Sequence, residues 1–274
     1  MPGRPPLILL PPSEGKAAGG SGAAWEPGTM VAPELDVRRA KAMAALVRVM
    51  RRGAPTRGKL LGVKGDALLA ATEANLAVQT GLTLPAIERY TGVLYDALDA
   101  GSLSAAHRRR LDAQVRILSG LWGVVGPADP IPDYKLKMGA TVAPMGKLST
   151  WWRPAVTAAL AEVAADRTVW NLLPNEHAAA WAPALDGGAE SPATVISVRF
   201  LDAVRRGGRT ELVTVNHWNK LLKGALVRHV LATQMADPEG LVEFDHPLGY
   251  RFTPDLTVVD PDGIRVAVSL VKGS

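Results

Sequence analysis

Leu7–Leu10 is an unbroken apolar run closed by Pro11-Pro12, the pattern of a short strand buried on both faces. Ser13-Glu14-Gly15-Lys16 follows, and a Gly/Ala/Ser-rich loop continues to about Pro33. Pro33 suits the first turn of a helix, and Leu35, Met43, Leu46, Val47 and Met50 recur at helical spacing until Gly53. Helical pattern resumes near Lys59 and, with breaks at Gly62 and Gly81, runs to about Asp99, its last piece starting at Pro85. A basic helix is expected over Leu103–Leu111, a strand over Val115–Leu118, and a glycine-punctuated loop from Ser119 to Pro127. A helix over Trp151–Ala165 and a strand over Thr168–Leu172 come next.

Two β-rich runs, Ala193–Phe200 and Thr210–Val215, flank Arg205-Arg206-Gly207-Gly208, a hairpin signal. An amphipathic helix is expected over Asn219–Met235. The tail from Gly249 to Leu270 alternates apolar and polar around Asp260-Pro261-Asp262-Gly263, which reads as a second hairpin. Strands and helices mix without a regular βαβ repeat, and no linker divides the chain. The expectation is one α/β (α+β mixed) domain over residues 1–274, with a mixed sheet and surrounding helices.

At 274 residues and 47% hydrophobic, the chain can bury a core without disulfides or structural metal. It has no cysteine, which excludes a disulfide framework, thiolate metal sites and a thiol redox switch. The apolar run Leu7–Leu10 is too short for a signal peptide or a membrane span, so an intracellular protein with no membrane partner is expected.

Lysine and arginine total 31 against 26 acidic residues, a formal charge of +5. Their placement is more informative than the sum. From Arg38 to Lys64 stand Arg38, Arg39, Lys41, Arg48, Arg51, Arg52, Arg57, Lys59 and Lys64, with no acidic residue between them. Such a polarised segment suits a basic face that attracts polyanions.

Ser13-Glu14-Gly15-Lys16 invites comparison with a phosphate loop, but Leu10 stands where that loop needs glycine, and Ala17 where it needs Ser or Thr. What survives is a serine and a lysine at a strand end, able to hold one anionic group. Leu60–Gly65 with Asp66–Leu69 has the shape of a helix-hairpin-helix turn, whose backbone N–H groups can meet a DNA phosphate, with Lys59 and Lys64 adding charge. His107, His177, His217, His229 and His246 form no metal-ligand spacing, and no metal or cofactor is expected. Glu176-His177 at a strand end and His217 before Lys220 are the acid–base candidates. Most tryptophans stand in apolar surroundings and read as core.

Several stretches, taken together, resemble one family. They are Leu-Pro-Pro-Ser-Glu-Gly-Lys (10–16), Arg-Tyr-Thr-Gly-Val-Leu-Tyr-Asp-Ala-Leu (89–98), the block 118–139 beginning Leu-Ser-Gly-Leu-Trp-Gly, Val-Trp-Asn-Leu-Leu-Pro-Asn-Glu-His (169–177) and Phe-Asp-His-Pro-Leu-Gly-Tyr (244–250). In order and spacing the chain resembles the YaaA family of bacterial peroxide-stress proteins. The resemblance implies a single-domain α/β fold with a positively charged cleft, a helix-hairpin-helix element and a cytoplasmic role. It also implies limitation of peroxide damage, by holding down free iron or by binding double-stranded DNA. The motif residues fall on Ser13, Lys16, Tyr90-Thr91-Gly92, Ser119, Gly120, Gly123, Tyr134, Lys135, Met138, Asn171, Glu176, Lys220 and Lys223. Lys135 stands where relatives often carry arginine.

Two functions are therefore expected to compete. The first is non-specific capture of double-stranded DNA through a basic cleft, with Lys59, Lys64, Lys220, Lys223 and Arg228 among its cations. The alternative is an enzyme acting on a small anionic or nucleotide-like substrate, in a pocket built from 13–16, 119–123, 134–135 and 171–177. Lys16, Glu176 or His217 would then be acid, base or electrostatic stabiliser. Oligomeric state is not written in the sequence.

Overall fold

The computed structural model describes residues 4–214, 219–246 and 248–273. Strand β1 (Leu7–Leu10) is wholly buried, as its four consecutive aliphatic residues require, and Pro11-Pro12 ends it. Three helices follow, α1 (Asp36–Met50), α2 (Ala54–Leu61) and α3 (Gly65–Leu76). A short helix α4 (Val93–Leu98) and helix α5 (Ala105–Gln114) lead to strand β2 (Val115–Ser119), with Ser104 capping α5 through the His107 N–H. Strand β3 (Gly123–Val125) turns straight back on β2, where the sequence suggested only a glycine-rich loop. Gly123 makes that turn with a φ of 72°, and the ring of Trp152 fills the space where a side chain would stand.

Helix α6 (Leu148–Ala164), strand β4 (Thr168–Asn171), the long strand β5 (Thr194–Arg206) and β6 (Arg209–Thr214) come next. Gly207 and Gly208 form the expected turn between β5 and β6. Helix α7 (Asn219–Thr233) precedes the short strands β7 (Arg251–Phe252) and β8 (Val258–Val259), and β9 (Arg265–Lys272) completes the tail. The tail hairpin forms as expected, with Val258 opposite Ala267.

These nine strands join one sheet, in the order β7-β9-β5-β4-β1-β2-β3, with β6 added on β5 and β8 on β9, and among the described residues two further two-residue ladders stand outside it. β9, β5, β4, β1 and β2 run parallel to their neighbours, while the remaining strands are antiparallel. Ranked by position in the chain, the five parallel strands lie in the order 2-1-3-4-5. The direction of winding therefore reverses between β1 and β4, and the crevice outside their carboxyl ends is where doubly wound sheets bind ligands. Periodicity could not show this order, because residues 11–114 separate the adjacent strands β1 and β2.

The basic stretch 38–64 does not form one face. Arg39 is fully buried, paired with Asp36 at 2.7 Å and donating to the carbonyls of Val31, Trp122 and Val124. It acts as a structural clamp that offsets its own desolvation with hydrogen bonds. Residues 77–92, expected to be mostly helical, instead contain a two-residue ladder, Leu84–Pro85 with Pro130–Ile131, and one helical turn, Ala86–Arg89. Among the described residues no helix is long and apolar enough to cross a membrane.

Candidate functional site

The loop after β1 is strapped to the segment before α4. Lys16 pairs with Tyr90 in an antiparallel bridge, the Ala17 N–H donates to the Arg89 carbonyl at 2.9 Å, and the Thr91 N–H donates to Ser13 Oγ at 3.1 Å. Arg89, fully buried, holds the far side by donating to the carbonyls of Ala17, Gly19, Leu82 and Ile131. This sets Ser13–Lys16 across the carboxyl end of β1, beside the loop that leaves β4.

A cavity of about 450 Å³ opens at that place. Pro11, Pro12, Val93, Leu94, Tyr95 and Pro174 make an apolar wall, and Ser13, Glu14, Thr91, Glu176, His177 and Lys220 supply polar groups. The Tyr95 hydroxyl donates to the Pro11 carbonyl at 2.8 Å, tying two of the walls together. Glu176 stands against Gly139, where any side chain would collide with its carboxylate. The His177 imidazole is pushed towards its neutral form by burial, and its Nδ1 has no hydrogen-bond partner among the described residues. Concave, mostly apolar and carrying a few converging polar groups, the cavity has the form of a small-molecule site.

Glu14 separates this cavity from a smaller one of about 170 Å³, lined by Lys16, Asp133, Tyr134, Lys135 and the alanines 70, 71 and 74 of α3. Glu14 Oε1 lies 3.0 Å from Lys137 Nζ, and Glu14 Oε2 lies 3.8 Å from Lys135 Nζ. The hydrogen bond to Lys137, above all, holds the Glu14 carboxyl below its usual pKa. Asn75 of α3, wholly buried, fixes Lys135 by bonding both its N–H and its carbonyl, at 2.8 and 3.0 Å. The charge here is thus mixed, with Lys16, Lys135, Lys137 and Lys220 interleaved with Glu14, Asp133 and Glu176.

Beneath Lys16 runs a chain of buried hydroxyls. Tyr90 and Tyr134 are 2.8 Å apart at their oxygens, and Tyr134 is 2.7 Å from Ser119 Oγ at the end of β2. Ser119 Oγ also accepts the N–H groups of Leu121 and Trp122, which fixes the turn into β3. Burial pushes the Tyr134 phenol up to about 12 and Tyr90 well above its ordinary value, so both stay protonated. Lys16 Nζ lies 4.3 Å over the Tyr134 ring and donates to the Ser13 carbonyl at 3.2 Å. Burial brings its ammonium down to about 8, partly resisted by Asp133.

Of the residues read from the sequence, the fold gathers Ser13, Lys16, Tyr134, Lys135, Glu176 and Lys220 around these two cavities. Ser119 and Gly120 lie behind them, fully buried. Gly120 is required by contact, since a Cβ there would stand 2.7 Å from the Lys137 carbonyl carbon. Asn171 Oδ1 accepts the Leu173 N–H at 3.2 Å, which shapes the loop after β4. Lys223 is half-buried and donates to the Leu172 carbonyl at 2.9 Å, while burial alone lowers its ammonium to about 8. Arg228 is engaged elsewhere, donating to the Leu98 and Asp99 carbonyls and to Ser102, and so pins α7 to the end of α4. Lys59 and Lys64 are exposed on the α2–α3 hairpin. His217 lies outside the described residues.

Glu14, His177 and Asp133 complete the site, and of these the sequence singled out only His177, through its neighbour Glu176. Glu14 could have been found between Ser13 and Lys16. Asp133 precedes the Tyr134-Lys135 pair, and only the fold shows that it lines the smaller cavity and that Lys137 reaches Glu14. Among the described residues no cluster of three metal-ligating side chains forms.

The fold and its site define an α/β protein with a mostly apolar cavity, carrying a few polar groups, at the carboxyl edge of a largely parallel sheet. Comparison with known proteins gives the family. The description "Peroxide stress protein YaaA" matches residues 7–256, and the chain belongs to that family. A UPF0246 protein of Streptomyces coelicolor is 40% identical over 248 residues, covering 89% of this chain and 91% of its own. A UPF0246 protein of Corynebacterium glutamicum is 36% identical over 227 residues, covering 81% and 83%. One of Corynebacterium efficiens is 36% identical over 234 residues, covering 83% and 85%.

Proposed function

We propose that this peroxide stress protein works by binding, and acting on, a small anionic substrate at the carboxyl edge of its sheet. The observation that carries this reading is Lys16. It is a largely buried amine lowered to about 8, set over the Tyr134 ring and beside a closed chain of hydroxyls. A solvated phosphate contact needs none of this, because an exposed lysine serves equally well. Lys16 in the smaller cavity and Lys220 in the larger would hold anionic groups of the substrate on either side of Glu14, while His177 and Glu176 would move protons in the larger cavity. A cytoplasmic place of action fits this reading.

A second reading, non-specific binding of double-stranded DNA, is favoured by the α2–α3 hairpin. Gly62 turns it with a φ of 68°, α3 starts without a side-chain cap, and Lys59 and Lys64 are exposed beside that start. Coating of duplex would then limit iron-dependent damage to it.

Acetylation of lysines with acetic anhydride, read residue by residue by mass spectrometry, separates the two. Inorganic phosphate or citrate should protect Lys16 and leave Lys59 and Lys64 reactive. Protection of Lys59 and Lys64 by a random 20-base-pair duplex, with Lys16 unaffected, would transfer the function to DNA. No protection of Lys16 by either anion defeats the small-substrate reading.

A further inference from the structure

The cations of α1 are not absorbed by the sheet-edge site, and two of them frame a separate groove. It holds about 470 Å³ between α1 and the 141–147 hairpin, lined by Lys41, Ala44, Ala45, Arg48, Pro144, Met145 and Trp151. Lys41 and Arg48 are seven residues apart on one helix, so they stand about 10 Å apart along its axis, on the same side. Both are exposed, and neither side chain has a hydrogen bond or ion pair among the described residues. No acidic residue lines the groove. The alanines leave a shallow floor between the two cations.

Trp151 is held in place rather than free to turn. Arg38 donates to its carbonyl at 3.1 Å and lies 5.1 Å from its ring, while Trp152 packs on it at 4.7 Å. A fixed, half-buried indole beside Met145 and Pro144 is an apolar shelf. The two unpaired cations at the rim await negative charge, and the guanidinium of Arg48 matches a phosphate with two parallel bonds.

We propose that this groove is a second ligand site, which takes a small aromatic phosphate of the nucleoside monophosphate class. The base would lie on Trp151 and Met145, and the phosphate would be held between Lys41 and Arg48. It shares no lining residue with the sheet-edge cavities and does not depend on the function assigned to them.

Isothermal titration calorimetry with adenosine monophosphate, adenosine and inorganic phosphate tests it on the full chain. Adenosine monophosphate should bind more tightly than either fragment. The double variant Lys41→Gln/Arg48→Gln, changed only at exposed positions, should weaken it by about tenfold or more. Trp151→Leu should weaken adenosine monophosphate but leave inorganic phosphate unchanged, and the double variant should weaken adenosine monophosphate as much in a Lys16→Gln background, which removes a cation of the sheet-edge site, as in the native chain. Circular dichroism checks that each variant is folded. Absence of binding, full affinity in the double variant, or no effect of the double variant in the Lys16→Gln background would overturn the proposal. Equal affinity for inorganic phosphate would remove its aromatic half, and equal affinity for adenosine its anionic half.

Discussion

Lys223 of α7 is a half-buried ammonium that, among the described residues, has one side-chain hydrogen bond, to the Leu172 carbonyl, and no carboxylate beside it. Its pKa is about 8 in the folded protein against 10.5 for a free side chain. Between those values the unfolded chain holds a proton that the folded chain does not, so folding stability rises with pH across the interval. Below pH 8 the whole penalty applies. Two and a half pKa units correspond to about 3.4 kcal/mol at 1.36 kcal/mol each. Residual contact with water reduces this, and a substitution also gives up the bond to Leu172, worth about 1 kcal/mol.

Lys223→Met, close in length and flexibility, should therefore stabilise the protein at pH 7 by about 2 kcal/mol, or about 3 °C in Tm for a chain of this size. Urea denaturation of both proteins at pH 7 and pH 10 is the assay. The gain should shrink between pH 8 and 10.5, because the folded protein no longer has to hold the lysine charged, and vanish above that, where it is neutral in both states. Lys16 titrates alike in both proteins and cancels. A loss of stability at pH 7, or a gain of equal size at both pH values, would refute the account of Lys223 as an uncompensated buried charge.

The Lys16 amine should acetylate with a rate that follows a titration centred near pH 8, measured by mass spectrometry across pH 6.5–10; a rate that only begins to climb above pH 9.5 would count against its burial. Ser119→Ala removes the partner of the Tyr134 hydroxyl and the acceptor for two N–H groups, and should cost about 2–3 kcal/mol in urea unfolding. Tyr90→Phe cuts one bond of the same chain and should cost about 1 kcal/mol. Gly120→Ala, with backbone atoms of Lys137 and Met138 at 2.7–2.8 Å from the new Cβ, should cost about 3 kcal/mol or more and show as a large fall in Tm.

Local order was largely legible in the chain. Pro11-Pro12 ends β1, Gly207-Gly208 turns β5 into β6, and the spacing of Leu35, Met43, Leu46 and Met50 gives the buried side of α1 and the segment before it. These signals rest on backbone freedom and on periodic burial, and both act over a few residues. The cluster of Ser13, Lys16, Tyr134 and Glu176 was legible only through kinship, because nothing in its spacing says that those segments meet.

Tertiary structure alone decided the order of the parallel strands and the fate of each charge. Arg39 and Lys41 are two residues apart in one basic stretch, yet Arg39 is buried among the carbonyls of Val31, Trp122 and Val124, and Lys41 faces a groove. A cation can leave water only where acceptors meet it, and those acceptors come from strands and loops distant in sequence. The same holds for Lys16, whose lowered pKa is set by desolvation, a property of the whole enclosure. Sequence determined which segments form helices and strands; packing determined which polar groups lost their water, and with that where chemistry can occur.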